Sequence, residues 1–191
     1  MSYAPFHKKW GEGRMPAGSF GRQVRRQAAA LFAACCFASG TIGAAQAAEV
    51  VALGASNTYG KGVNRGEDFP AQLEAMLHAK GLRVSVTNAG VNGDTTAGML
   101  SRFDGAVDGS TRVLLLQPGG NDFRKGVGDQ RAGNVSAILA KASQHHIKVV
   151  MVENGMLRGL PHQMDGVHLT PDGYRMLATA LLPRVTGSLR R

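Results

Sequence analysis

Cysteine is almost absent from this chain of 191 residues. The sequence holds two, Cys35 and Cys36, which are adjacent in an apolar stretch near the N-terminus. Residues 48–191 contain none, which excludes a disulfide framework and chemistry at a thiol in that part of the chain. Internal repeats and low-complexity linkers are absent as well, so residues 48–191 are predicted to form one domain.

Acidic residues are also scarce, but the imbalance is concentrated at the N-terminus. The chain carries 22 Lys and Arg against 13 Asp and Glu, a net charge of +9. Residues 1–47 hold six of the basic residues and one acid, which leaves 16 basic and 12 acidic residues, a net charge of +4, in residues 48–191. This small charge argues against nucleic acid as a partner.

Residues 1–47 have the composition of an export signal. A basic lead-in precedes an Ala-rich apolar run over residues 28–45, which ends in Ala45-Gln46-Ala47. This order is typical of a cleaved secretory signal. We therefore expect a signal peptide and a periplasmic or secreted domain with no stable membrane insertion after cleavage. One alternative is a transmembrane anchor, which polar residues in the run disfavour. A lipoprotein signal at Cys35 is disfavoured by the short apolar run before it, and a twin-arginine signal at Arg25-Arg26 has no support from the flanking residues.

Strand-like and helix-like patterns alternate through residues 48–191. Short apolar segments predict strands at residues 50–53, 83–89, 112–117 and 148–153. Apolar residues at helical spacing predict helices at residues 69–80, 95–103, 129–146 and 170–186. This alternation favours an α/β fold with a parallel sheet and helices on both faces.

A loop of small and polar residues follows each of the first three strands. These loops contain Ser56, Gly93 and Asn121. We expect them to meet, because ligands bind at the carboxyl edge of a parallel sheet. Taken alone, Ser56 is either a turn residue or a nucleophile, and Asn121 could be a turn residue that satisfies its own backbone. Residues 165–172 could equally be a polar loop and a helix start.

Four motifs resemble, in order and spacing, the blocks of the SGNH (GDSL-like) hydrolases. They are Gly54-Ala55-Ser56, the segment Asn88–Thr96 with Gly93, Gly119-Gly120-Asn121-Asp122 and Asp165-Gly166-Val167-His168. Phe69–Leu73 and Gly93–Gly98 resemble the secreted acyl-CoA thioesterase/lysophospholipase and arylesterase branch. The resemblance implies a flavodoxin-like three-layer sandwich with strand order 2-1-3-4 and four strands, or five.

The resemblance also implies a serine hydrolase site that needs no metal or cofactor. Ser56 would be the nucleophile, His168 the base and Asp165 the acid that orients the base. The oxyanion hole would consist of the backbone N–H groups of Ser56 and Gly93 and the side-chain amide of Asn121. These roles suit the residue types, since histidine titrates near neutral pH and a carboxylate can hold its tautomer.

Two features depart from the family pattern. Ala55 stands where the family usually has Asp, which we expect to weaken the bracing of the loop while leaving the nucleophile. Asn154 and Asp165 are only 11 positions apart, where the family generally places another helix and a fifth strand. We expect this shortening to leave an open wall beside His168.

Together these features predict a monomeric serine esterase or thioesterase that hydrolyses small acyl esters, lysophospholipids or acyl-CoA through an acyl-Ser56 intermediate. The alternatives are a carbohydrate O-acetyl esterase with the same residues and a catalytically weakened binding protein. Asp94 and Asp122 are expected to be caps or loop braces, and His162 a surface residue. Five apolar residues could contact an acyl chain or belong to the core: Met99, Leu100, Phe123, Met156 and Leu157.

Overall fold

The computed structural model describes residues 50–190, and its centre is a parallel β-sheet. The strands are β1 (Val50–Gly54), β2 (Val86–Gly90), β3 (Val113–Gln117) and β4 (Lys148–Met151). They lie in the order β2-β1-β3-β4, and every pair is parallel. The predicted α/β fold with strand order 2-1-3-4 is confirmed, with four strands. The predicted signal peptide, residues 1–47, lies outside the described residues.

Eight α-helices surround the sheet within residues 50–190. The longer ones are α2 (Phe69–Ala79), α3 (Thr96–Ser101), α6 (Arg131–Gln144) and α8 (Pro171–Leu189). The others are single turns: α1 (Ser56–Tyr59), α4 (Phe103–Ala106), α5 (Asn121–Arg124) and α7 (Asn154–Leu157). A short 3₁₀ turn, Gly128–Gln130, precedes α6. The sequence did not predict the single turns, because four residues are too few to show a helical period.

The two faces of the sheet carry two apolar cores, because successive strand residues point to opposite faces. Val50 and Ala52 of β1 pack with apolar side chains of α2 and α8. Val51 and Leu53 pack with those of α3, α4 and α6. β3 alternates in the same way, so both central strands are buried on both faces, as their unbroken apolar sequences predict.

The helix ends follow the local sequence, with some differences in length. Thr170 caps α8, and its hydroxyl accepts a hydrogen bond from the N–H of Gly173 at 3.2 Å. This helix continues past the predicted end at residue 186 and through Pro183 to Leu189, because Val185 and Leu189 extend its buried face. β2 begins at Val86 rather than at residue 83.

None of the helices within residues 50–190 combines the length and the apolar character that crossing a membrane requires.

Candidate active site

Ser56 lies directly beyond the carboxyl end of β1. α1 begins at this residue, and its side chain is largely buried. No side chain caps the first turn of α1, and the backbone N–H of Ser56 has no acceptor among the described residues. The loop therefore presents both a hydroxyl and a backbone donor at the edge of the sheet.

The segment before α8 brings His168 against Ser56. Nε2 of His168 lies 2.9 Å from Oγ of Ser56, and the imidazole is buried. Nδ1 of the same ring lies 2.5 Å from Oδ2 of Asp165. Since the carboxylate accepts from Nδ1–H, Nε2 carries the lone pair that receives the Ser56 hydroxyl proton.

Asp165 is held by a compact turn. Its Oδ1 accepts hydrogen bonds from the backbone N–H groups of Val167 and His168, both at 2.9 Å. The hydrogen bond from the His168 side chain, followed by the two backbone donors, lowers the pKa of Asp165 well below its ordinary value. The carboxylate is therefore ionised at neutral pH and favours the Nδ1–H tautomer of the ring.

Asn57 joins the loop of Ser56 to the segment of His168. Its Nδ2 donates to the carbonyl of Val167 at 3.0 Å. Its Oδ1 accepts from the N–H of Leu169 at 3.3 Å and from the hydroxyl of Tyr174 at 3.1 Å. Burial raises the pKa of the Tyr174 hydroxyl, so it stays a donor at neutral pH. The two residues that flank His168 are thus both bound to the neighbour of Ser56, a connection that the sequence analysis missed.

Asn121 begins α5, beyond the end of β3, and its amide is buried. Its Nδ2 donates to the carbonyl of Asp94 at 2.7 Å, and its Oδ1 accepts from the guanidinium of Arg124 at 2.7 Å. These contacts fix which end of the amide is the donor. The second hydrogen of Nδ2 is left for a ligand, because an amide nitrogen carries two.

Gly93 lies in the loop after β2 and has a φ of +73°. This left-handed conformation favours glycine. Gly93 immediately precedes Asp94, whose carbonyl binds Asn121. Of the three residues predicted to form the oxyanion hole, Ser56 and Asn121 line the cavity beside Ser56 and Gly93 does not.

Gln117 braces the loop that contains Ala55. Its Oε1 accepts from the backbone N–H of Ala55 and from the hydroxyl of Thr58, both at 3.3 Å. The methyl group of Ala55 is buried in the core. The loop thus has a bracing side chain from β3 although it lacks the Asp that is usual at position 55.

Asp94 and Asp122 have bracing contacts, as the sequence analysis expected. Asp94 forms an ion pair of 2.8 Å with Arg102, whose guanidinium also donates to the carbonyl of Gly54 at 3.1 Å. Asp122 is fully buried and accepts from the hydroxyl of Thr96 at 2.5 Å and from its N–H at 3.2 Å. These contacts tie the loops after β1, β2 and β3 to one another.

A cavity of about 430 Å³ lies beside Ser56. Its walls come from the loops after β1 and β3, from α5 and from residues 154–167. The short segment between Asn154 and Asp165 therefore supplies part of the wall. Five of the polar or charged lining residues were not predicted from the sequence as members of the site: Gln117, Arg124, Asn154, Arg158 and His162.

The five candidate acyl-chain contacts divide between the cavity and the core. Leu157 lines the cavity. Met99 is buried in the core, Leu100 and Met156 pack against the cores, and Phe123 is 67% exposed. His162, expected at the surface, is half-buried at the cavity, and its Nδ1 lies 2.7 Å from the carbonyl of Leu160.

Within residues 50–190, no three His, Cys, Asp or Glu side chains come together in a way that could hold a metal ion.

Similarity to known proteins agrees with this fold. The model of the GDSL-like lipase/acylhydrolase family matches residues 52–164, more than half of the chain and a range that includes Ser56, Gly93 and Asn121. Esterase TesA of Pseudomonas aeruginosa is 27% identical over 110 residues, which cover 56% of this chain and 55% of that protein. The chain thus spans about half the length of the curated relative it matches.

Solved structures share the architecture. The psychrotrophic esterase EstA from Pseudoalteromonas sp. superposes with a TM-score of 0.66 at 14% identity, covering 74% of this chain and 98% of that one. AlinE4, an SGNH-hydrolase family esterase, superposes with a TM-score of 0.51 at 26% identity, covering 73% and 95%. Because the family model matches more than half of this chain, the chain belongs to the GDSL-like lipase/acylhydrolase family.

Proposed function

We propose that this chain is a serine esterase that hydrolyses carboxylic esters or thioesters through an acyl-Ser56 intermediate. The observation that carries the proposal is the continuous hydrogen-bonded arrangement from Ser56 Oγ through the His168 ring to Asp165. Nucleophilic catalysis requires a hydroxyl, a base within hydrogen-bond reach and a group that orients the base. Membership of an acylhydrolase family and the similarity to an esterase support the same reaction.

In the first half of the reaction, Ser56 Oγ attacks the carbonyl carbon of the ester, and its proton moves to Nε2 of His168. The resulting imidazolium is stabilised by the ionised Asp165. The imidazolium of His168 then gives the proton to the leaving alcohol or thiol as the tetrahedral intermediate collapses. The products of this half are the free alcohol or thiol and acyl-Ser56.

The negative charge on the tetrahedral intermediate needs donors. We assign the backbone N–H of Ser56 and the Nδ2 of Asn121 to this role, since the first has no acceptor among the described residues and the second retains a free hydrogen. Gly93 is proposed as the third donor, since its backbone N–H also has no acceptor among the described residues.

In the second half, His168 takes a proton from water, and the hydroxide attacks the acyl carbonyl. Collapse of this second intermediate breaks the bond to Oγ, and His168 returns the proton to Ser56. The acid is released, and the enzyme is regenerated.

The experiment is hydrolysis of p-nitrophenyl acetate and longer p-nitrophenyl esters by residues 48–191, beside Ser56→Ala. We expect turnover to disappear in Ser56→Ala and to persist in Ser136→Ala, which removes an exposed hydroxyl from α6. A fluorophosphonate should label the wild type and the Ser136→Ala variant, but not the Ser56→Ala variant. Equal rates in wild type and Ser56→Ala, or an unlabelled wild type, would refute the serine mechanism and favour a binding protein.

A substrate panel then distinguishes the ester classes. Activity on acyl-CoA or lysophospholipid would place the enzyme with the thioesterases and lysophospholipases. Release of acetate from acetylated sugars, without activity on those two, would identify a carbohydrate O-acetyl esterase. The cavity of about 430 Å³ falls within the range of small-molecule sites.

We infer export from the sequence of residues 1–47. N-terminal sequencing of the protein recovered from the periplasm or medium should begin at Ala48, within one residue. Retention of the whole N-terminal segment would refute cleavage.

Light scattering should give the mass of a monomer.

A further inference from the structure

The cavity beside Ser56 is lined by two arginines and by no carboxylate. Arg124 is the last residue of α5, and Arg158 directly follows α7. Glu153 and Asp165 are neighbours of lining residues in sequence but do not line the cavity themselves. The acidic side chain that belongs to the site, Asp165, is already bound by His168. The cavity therefore has an excess of positive charge.

Neither guanidinium has an acidic partner among the described residues. Arg124 donates to Asn121, whose amide is neutral. Arg124 and Arg158 are both exposed. Ion pairs among residues 50–190 include those of Arg102, Lys141, His168 and Arg175. Arginine remains charged at all ordinary pH values, and its planar fork matches carboxylate and phosphate oxygens.

The position of Arg158 follows from the short segment that separates Asn154 from Asp165. This segment is anchored beside His168, because the N–H of Gln163 donates to the carbonyl of His168 at 2.8 Å and His162 forms an isolated antiparallel bridge with Leu169. This segment therefore brings a cation, Arg158, to the same cavity as the nucleophile.

We propose that the substrate is an ester that also carries an acidic group, a carboxylate or a phosphate, and that Arg158, with Arg124, binds this group while the ester carbonyl lies at Ser56. This inference rests on the proposed esterase function and narrows its substrate class. Both ends of such a substrate would occupy one cavity of about 430 Å³.

The test compares matched pairs of esters that differ in one negative charge. For an acid on the acyl side, the pair is mono-p-nitrophenyl glutarate and p-nitrophenyl valerate. For an acid on the alcohol side, the pair is the monoacetate of glycerol phosphate and the monoacetate of glycerol, with acid release followed by pH-stat. We expect kcat/KM to favour the charged ester in one of the pairs, which also identifies the side that carries the acid.

The variant Arg158→Gln should lower this preference about tenfold, which corresponds to ~1.4 kcal/mol, and Arg158→Glu should reverse it. The matched control is Lys80→Gln, which removes the same charge from the end of α2, away from the cavity. This control should leave the preference unchanged. Added NaCl should also reduce the preference, because exposed charges are screened.

The outcomes separate this inference from the proposed esterase function. Hydrolysis of the neutral esters without a preference for either charged partner would overturn the acidic substrate and leave the esterase standing. A preference for the charged ester that survives in Arg158→Glu would also overturn the acidic substrate and leave the esterase standing, provided that circular dichroism shows the variant to be folded. Absence of hydrolysis of every ester, neutral and charged, would instead refute the esterase.

Discussion

The hydrogen bonds of Asn57 allow a quantitative test of how the site is held together. Asn57→Ala removes one donor and one acceptor. The Leu169 N–H and the Tyr174 hydroxyl then lack this partner in buried surroundings, and the Val167 carbonyl lacks it at an exposed residue. An unsatisfied buried group costs about 1–3 kcal/mol. Relaxation and entry of water keep the sum below the full total, so we expect the free energy of unfolding to fall by about 2–4 kcal/mol.

The same substitution should slow the chemistry. Val167 and Leu169 flank His168, so loosening them moves Nε2 away from its 2.9 Å contact with Ser56. A displacement of about 1 Å at a reacting group can cost about 10²-fold in rate. We therefore expect kcat to fall about 10- to 100-fold, with a KM change of less than about threefold, because Asn57 acts by positioning the base.

The assay is p-nitrophenyl acetate kinetics together with urea unfolding, at a temperature where the variant is folded. The control is Val185→Ala, which opens a cavity in the core between α8 and the sheet and does not touch the site. This control should lose about 1–3 kcal/mol of stability and keep its kcat. The positioning role would be refuted if Asn57→Ala kept kcat within about twofold of wild type, or if Val185→Ala lost as much.

Two further predictions concern Asp165 and Gly93. Asp165→Asn should lower kcat by about 10³–10⁴-fold, because an amide does not hold His168 in the Nδ1–H tautomer. The pKa of Asp165 is depressed in the folded state below its ordinary value of 3.8. Its contribution to the free energy of unfolding is therefore present above that value and is lost as pH falls below it. Between about pH 6 and pH 2.5, urea unfolding should show a larger loss of this free energy in wild type than in Asp165→Asn. Gly93→Ala should lower the free energy of unfolding by about 1–2 kcal/mol, because its φ is +73° while an added Cβ meets no atom within 4 Å. It should also lower kcat about tenfold by shifting a proposed oxyanion donor.

These predictions have separate controls. Gly109→Ala also adds a methyl group to open space, but Gly109 has no positive φ, so its stability should stay within about 0.5 kcal/mol of wild type. Equal losses in Gly93→Ala and Gly109→Ala would contradict the conformational argument. An equal acid sensitivity in wild type and Asp165→Asn would contradict the pKa argument.

The structure also explains how the loop of Ser56 is braced with Ala55 at a position that usually holds Asp. Gln117 supplies an acceptor from the neighbouring strand to the N–H of Ala55 and to Thr58. Ala55 itself is buried between the loop and the core, so an alanine suits the position by size. The nucleophile and its base remain within hydrogen-bond distance.

The sheet could be read from the sequence, because the signals for it are local. Unbroken apolar runs in β1 and β3 identify strands that are buried on both faces, and the alternation with helical patterns identifies a parallel sheet. The strand order came from the family resemblance. The start of β2 was wrong by three residues, because an edge strand has a weaker pattern.

The members of the proposed site were also named from the sequence, because the four motifs that contain them resemble the blocks of a known family in order and spacing. The catalytic roles assigned to Ser56, Asp165 and His168 stay predictions until the variants are measured. Their contacts come from the fold, which brings Ser56 and His168, 112 positions apart, to 2.9 Å.

The partners that hold and surround the site were decided only by the tertiary structure. Asn57 and Val167 are 110 positions apart, and Thr58 and Gln117 are 59 apart. No periodicity or spacing connects such pairs, because their contact depends on how separate loops pack over one edge of the sheet. The same is true of Arg124 and Arg158, which no motif in the sequence singles out. Only the fold, which brings the end of α5 and the residue after α7 to the cavity beside Ser56, makes them part of its wall.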